Sequence, residues 1–198
     1  MMKSPAESSP RTEPSILLAA DSFKGSASSE AIEKYLEAGV LRVLPHAWTK
    51  KVLIADGGEG TVDAFVSGCG GEIKSVQAED PFGHPIVARL GVLPNGCAVV
   101  ETAEAAGIRF SSCTDEDARR ASTYGVGQLL RAALDLGVRR IYVGLGGSAT
   151  SDGGCGMAEA LGALFLDTSG KPTVRGLQGL SYIAHVDMSH FDKRVYDT

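Results

Sequence analysis

Apolar and polar positions alternate in two textures along the chain. Residues 16–20, Ile-Leu-Leu-Ala-Ala, form an unbroken apolar run, the pattern of a strand buried on both faces of a parallel sheet. Over 26–44 the period becomes helical, with Ile32, Tyr35, Leu36, Val40, Val43 and Leu44 on one face. Serines at its start can cap that helix, and Pro45 lies just past its end. Residues 51–55 predict a second buried strand. A short helix over 61–67 follows, ended by Gly68, Gly70 and Gly71.

Beyond this point the pattern is two-residue alternation. Residues 72–77, 84–92 and 97–101 read as antiparallel strands, with Pro94-Asn95-Gly96 as a hairpin turn. The interruption Asp80-Pro81-Phe82-Gly83 places a lobe boundary near Glu79. Helical spacing returns over 124–136 with Val126, Leu129, Leu130 and Ala133 as the apolar stripe and Gly137 suited to end it. A strand over 140–144, a glycine-rich stretch over 146–156, a helix over 157–164 and a strand over 164–166 turning at 167–170 complete the reading. The remainder is ambiguous, and no internal repeat is evident.

The chain has 198 residues, enough for one sizeable domain or two small ones. Its formal charge of -5 lacks the basic footprint of a nucleic-acid or anionic-membrane partner. The expected organisation is a disordered Ser/Pro/Glu-rich leader over 1–15, a first lobe over 16–79 and a second over 80–198. Residues 16–20 are too short for a signal-peptide core or membrane span, so the expected location is cytoplasmic. Cys69, Cys97, Cys113 and Cys155 form no CxxC pair and match no zinc spacing. We expect reduced, mostly buried thiols.

Three strand–loop–helix corners carry the candidate chemistry. The first loop holds Asp21, Ser22, Lys24 and Ser26. The second holds Asp56, Gly57, Gly58, Glu59, Gly60 and Thr61. The third holds Gly146, Gly147, Ser148, Ala149, Thr150, Ser151, Asp152, Gly153 and Gly154. In open α/β sheets, ligands gather at the carboxyl ends of strands, and helix N-termini favour anions. None is a Walker A loop, and GxGxxG with its acidic follower is absent. The third can cradle phosphate on backbone amides and the hydroxyls of Ser148, Thr150 and Ser151. Lys24 can hold a carboxylate or a transferring phosphoryl group. Asp21, Asp56 and Asp152 are candidate catalytic groups and Mg²⁺ ligands, with helix capping as the alternative role for each. Such loops, with a cation and carboxylates, describe phosphoryl transfer to a small acceptor.

The segments DSFKGS, DGGEGT, STYGVGQLL and GGSATSDGGCGM, in that order, resemble the successive signatures of the bacterial-type glycerate kinase family. The resemblance runs from residue 16 to the end. It implies a two-lobed α/β fold with a parallel-sheet, Rossmann-like first lobe, here incomplete, a mixed α/β second lobe, and an active site in the cleft between them. It implies ATP, Mg²⁺ and D-glycerate, and phosphoglycerate as product. Ala27 stands where the family usually has Leu, Ser151 for a common Asn, Ser122-Thr123 for Thr-Thr, and Ala158 for a larger apolar residue. The family also continues for about as many residues again, so the chain reads as an N-terminal half whose activity alone is doubtful. A non-catalytic protein that binds glycerate or nucleotide is the alternative.

GLGGSATSDGG also resembles the phosphate loop of the galactokinase–homoserine kinase group, which does not pair it with DSFKGS and DGGEGT. Glu101 and Glu104, in ETAEAAG, can face the cleft or cap the next turn. Thr123, Tyr124 and Gly125 precede a helix and can contact ligand. The four histidines fit no ligand spacing, and Asp115-Glu116-Asp117 reads as a solvated loop.

Overall fold

The computed structural model describes residues 13–23 and 25–198. These form two compact units, one ending at Ile54 and the other spanning Ala55–Thr198. The leader expected over 1–15 lies mostly outside the described residues.

In the first unit, β1 (Ser15–Leu18) pairs in parallel with β2 (Trp48–Lys51), and α1 (Ser29–Val43) connects them. Ser28 caps α1 by accepting the Ala31 amide at 3.3 Å. The Leu44 amide bonds to the Val40 carbonyl at 2.8 Å, one residue before Pro45. The parallel pairing matches expectation, but β2 begins before the apolar run 51–55. The ladder continues only one bond further, from the Val52 amide to the Leu18 carbonyl at 2.9 Å. In this two-stranded sheet Leu18 is buried while Leu17 is 64% exposed. The expected burial on both faces is therefore not met within this unit.

The second unit begins with α2 (Thr61–Cys69) and the antiparallel strands β3 (Glu72–Glu79), β4 (Pro85–Leu93) and β5 (Cys97–Glu101). Then come α3 (Thr102–Ala106), a 3₁₀ turn at Ile108–Phe110, α4 (Asp115–Arg120) and α5 (Tyr124–Asp135). Strand β6 (Arg140–Gly144) pairs in parallel with β5, making the order β3-β4-β5-β6. Next are α6 (Cys155–Ala160), β7 (Leu164–Leu166), α7 (Leu177–Leu180), β8 (His185–Asp187), antiparallel to β7, and a 3₁₀ turn at Lys193–Asp197.

Period-two alternation divides β5 between two cores. Ala98 and Val100 join Ala88, Leu90, Val126, Leu129 and Ala133, so α5 covers that face. Cys97 and Val99 join Leu93 and Val62, so α2 covers the other, with Phe65 and Val66 packed at its margin. Burying a side chain such as Leu90 or Leu129 contributes about 1.5–3 kcal/mol. A β-carbon at Gly91 would stand 3.0 Å from Val66 Cγ2, so glycine there lets α2 lie close on β4. Helix α2 and strand β3 thus pack with the later sheet, whereas the sequence places a lobe boundary near Glu79. The reason is the β3–β4 hairpin, which turns through Asp80 and His84.

Two expectations are corrected. Asp115-Glu116-Asp117 is the first turn of α4, capped by Thr114, whose hydroxyl accepts the Asp117 amide at 3.1 Å. Among the cysteines only Cys97 is buried; Cys69 and Cys113 are exposed and Cys155 lies between, all four being free.

Candidate functional site

Parallel pairing of β5 and β6 brings their carboxyl ends together, with Glu101 in register with Gly144. Two of the three corner loops meet there. The Gly146 amide donates to the Gly57 carbonyl at 2.9 Å. A β-carbon on Gly146 would lie 2.6 Å from the Gly58 nitrogen, and one on Gly144 would overlap the Gly57 carbonyl oxygen. Only glycine lets these two backbones touch. Gly57 and Gly60 also take φ values of 93° and 90°, in the left-handed region. Asp56 closes its own turn, Oδ1 accepting the Gly58 amide at 2.9 Å, and Thr61 Oγ1 donates to the Gly58 carbonyl at 2.8 Å. The Asp56 and Glu59 residues are exposed.

The third loop rests against the segment after β5. The Ile108 amide donates to the Gly147 carbonyl at 2.8 Å, and the Ala149 amide to the Ala106 carbonyl at 2.9 Å. Ser148 Oγ accepts the Thr150 amide at 3.1 Å and lies 2.8 Å from Thr150 Oγ1. The Gly146, Ala149 and Thr150 amides are therefore engaged within the protein. The loop also carries the Ser148–Thr150 hydroxyl pair, with Ser148 exposed.

Asp152 sits differently from its expected place. It is 1% exposed. Its carboxylate accepts from the amides of Thr123, Gly154 and Gly156 at 2.8, 3.1 and 3.1 Å, from Thr123 Oγ1 at 2.9 Å and from Ser122 Oγ at 3.3 Å. Thr123 Oγ1 in turn accepts the Met157 amide at 2.9 Å. An anion is expected at the start of the helix following this loop, and that anion is the Asp152 carboxylate. It ties the segment before α5 to the first turn of α6. Thr123 and Gly125 are likewise buried. The Gly125 α-carbon faces backbone, a β-carbon there running into the Glu79 carbonyl.

A second buried carboxyl occupies the start of α2. Glu101 is 1% exposed, and its Oε1 accepts the Val62 amide at 2.6 Å. Burial pushes this carboxyl up to about 7, and Glu104 adds to the rise; the Val62 and Gly60 amides and Arg89 act in the opposite direction. Glu104 is also buried but is paired. Arg89 Nε and Nη2 reach its Oε1 at 3.0 and 2.9 Å, and the Arg89 amide reaches its Oε2 at 3.1 Å. The same guanidinium contacts Asp63 of α2 at 3.2 Å, and Arg109 stands 3.7 Å from Glu104.

The first corner belongs to the other unit. There the Ser22 amide donates to Asp21 Oδ1 at 2.7 Å, and the Ser26 amide to the Phe23 carbonyl at 2.8 Å. Lys24 lies outside the described residues. Among the described residues no three His, Cys, Asp or Glu side chains group as a metal site. Asp152 is unsuited to ligate a cation, since its oxygens already face protein donors. Asp56, exposed and on the loop, fits one ligand of an ion that keeps water and phosphate oxygens as its others.

A mixed α/β protein with glycine-rich loops touching at the ends of neighbouring parallel strands falls in the class that binds small molecules at that edge. The chain belongs to the glycerate kinase family, whose model matches residues 16–198. It is 42% identical over 181 residues to a glycerate kinase of Halalkalibacterium halodurans, covering 91% of this chain and 48% of that one. It is 35% identical to the glycerate 2-kinase of Escherichia coli, covering 92% of this chain and 48% of the relative. A crystal structure assigned as glycerate kinase 2 from Salmonella typhimurium LT2 superposes with a TM-score of 0.77 at 39% identity, over 92% of this chain and 49% of that one. The chain thus spans about half the length of these relatives.

Proposed function

We propose that this chain contributes to an ATP-dependent phosphotransferase site that converts D-glycerate to phosphoglycerate. The observation that carries the reading is the meeting of the 56–61 and 144–150 loops, joined from Gly146 to Gly57, at the carboxyl ends of β5 and β6. Membership of the glycerate kinase family supports the choice of substrate and donor.

In this reading the Ser148 and Thr150 hydroxyls meet phosphate, and the glycine backbones of 57–60, 146–147 and 153–154 allow close approach. Asp56 holds Mg²⁺ or accepts the proton of the attacking hydroxyl. When bound, Mg²⁺ neutralises charge on the transferring phosphate. Lys24 binds the glycerate carboxylate or the phosphoryl group, and Asp21 and Ser22 share its segment. Asp152 acts by holding the third loop against α5. No helix among the described residues is long and apolar enough to cross a membrane. We place the reaction in the cytoplasm, where ATP is available.

Calorimetric titration of the 198-residue chain with ATP–Mg²⁺ and with D-glycerate tests the proposal, followed by an assay for phosphoglycerate. Binding of both is the expected result. Binding without turnover would leave a ligand-holding protein, and binding of neither would overturn the proposal.

A further inference from the structure

The chain rises out of β5 into Glu101 at the point where the glycine loop 56–60 enters α2. Glu101 lies thirty-nine positions beyond Val62 in sequence, yet its Oε1 takes the Val62 amide at 2.6 Å. That amide is one of the first in α2 and has no partner within the helix. The carboxylate also lies near the positive end of a nine-residue helix. Both faces of this contact are closed. Glu101 is 1% exposed and Val62 is fully buried against Leu93 and Val99. The neighbouring charges are already committed: Glu104 of α3 is held by Arg89 of β4, and Arg89 is shared with Asp63 of α2. Glu101 is therefore a buried carboxyl without a cation of its own, fastened to a backbone amide.

We propose that Glu101 is a positioning residue for the Asp56–Thr61 loop, holding the first turn of α2 against the end of β5 through the Val62 amide, and less firmly once the buried carboxyl ionises. The inference rests on the reading of that loop as ligand-binding. The Gly57–Gly146 contact extends the consequence, because a loop that shifts at Val62 also shifts the strand-end backbone against which the 144–150 segment packs. A charge-assisted hydrogen bond is about twice as strong as a neutral one. Glu101 has no cation of its own to offset the burial of its charge, so ionising it costs more than that hydrogen bond gains and the anchor loosens. Because the carboxyl titrates near 7, the anchor changes strength across neutral pH.

The test uses the 198-residue chain, Glu101→Gln and Glu101→Asp. Gln keeps the shape and lacks the charge; Asp keeps the charge and withdraws it from Val62, and serves if Gln does not fold. The Val62 amide resonance is followed by NMR across neutral pH, alongside amide-exchange protection of residues 61–63. Affinities for ATP–Mg²⁺ and D-glycerate are measured at the two ends of the range. We expect the wild-type Val62 resonance to titrate with a midpoint near neutrality, that titration to vanish in Gln, and protection to fall several-fold with rising pH in wild type, to hold across the range in Gln and to be several-fold lower in Asp throughout. Ligand affinity should weaken toward alkaline pH in wild type and lose that dependence in Gln. An untitrating Val62 resonance, or the same protection in wild type and both variants, overturns the proposal. Loosened exchange with unchanged ligand affinities also overturns it, by making the anchor purely structural. If the wild type binds neither ligand, the loop reading has failed, and the NMR and exchange data alone decide whether Glu101 anchors α2.

Discussion

The Gly146 amide donates to the Gly57 carbonyl at 2.9 Å, so two glycine-rich loops far apart in sequence share one backbone contact. The contact requires glycine at 146, where a β-carbon would crowd the Gly58 backbone, while the left-handed φ of 93° favours glycine at 57. It joins two separate loop signatures into a single structural feature at the ends of β5 and β6.

Gly146→Ala tests how much depends on that contact. The added methyl would stand 2.6 Å from the Gly58 nitrogen and 2.8 Å from its α-carbon, both backbone atoms that cannot swing aside. Overpacking of this kind costs about 1–3 kcal/mol. Thermal unfolding should show that loss, and ATP or glycerate affinity should fall with it. Gly170→Ala is the control, since a β-carbon there meets nothing within 4 Å, although its φ of 78° adds its own strain. Equal stability of Gly146→Ala and wild type would mean that the loops separate easily.

The pH dependence of stability follows from Glu101. Its folded carboxyl titrates at about 7 against an ordinary value of 4.5, so the folded state holds the extra proton in that window. The unfolded state binds fewer protons there, and stability falls as pH rises from about 4.5 toward 7 through this group alone. The loss is at most on the order of 3 kcal/mol. Denaturant unfolding of wild type and Glu101→Gln at a series of pH values isolates the contribution as a difference. Parallel curves would show that Glu101 has the same proton affinity folded and unfolded.

Much of this arrangement was legible in sequence where local signals agree. Strands 97–101 and 140–144 are bounded by turn residues, and both are found over those residues. Helix α5 begins at Tyr124 and is stopped by Gly137, as its apolar stripe and glycine indicate. The acidic run 115–117 misleads because charge alone reads as solvation. Thr114 followed three residues later by Asp117 is a capping signal that identifies the short helix. Helix α3 has only five residues directly after a strand, too few to show a period. The apolar run 51–55 draws the second strand toward itself, whereas register with β1 begins at Trp48. Glu101 and Asp152 show the harder case. Both stand where a ligand-binding carboxylate is expected, and nothing local distinguishes a side chain that faces ligand from one that faces a backbone amide. That distinction is set by residues distant in sequence, Val62 for one and Thr123 for the other.

Asp152 and Asp56 therefore predict opposite outcomes for the same chemical change. Asp152 is buried and accepts from Ser122, Thr123, Gly154 and Gly156, all of them donors. Asn in its place turns one acceptor into a donor that must face another donor. Each hydrogen bond to a charged group contributes about 1.5–3 kcal/mol, so Asp152→Asn should lower stability by more than about 2 kcal/mol. The junction of α5 and α6 should loosen with it, seen as faster amide exchange at Met157, whose amide depends on Thr123. Asp56 is exposed, and Asn keeps the oxygen that accepts the Gly58 amide. Asp56→Asn should cost less stability than Asp152→Asn, because hydrogen bonds at an exposed carboxylate compete with water. If Asp56 ligates Mg²⁺ or accepts the hydroxyl proton, its loss appears instead in Mg²⁺-dependent ATP affinity or in turnover, by tenfold or more on the order expected for a lost acid–base group. Thermal unfolding and calorimetry on both variants separate the cases. A stable Asp152→Asn with impaired ligand binding would return Asp152 to the ligand-facing role that its position in the sequence first indicates.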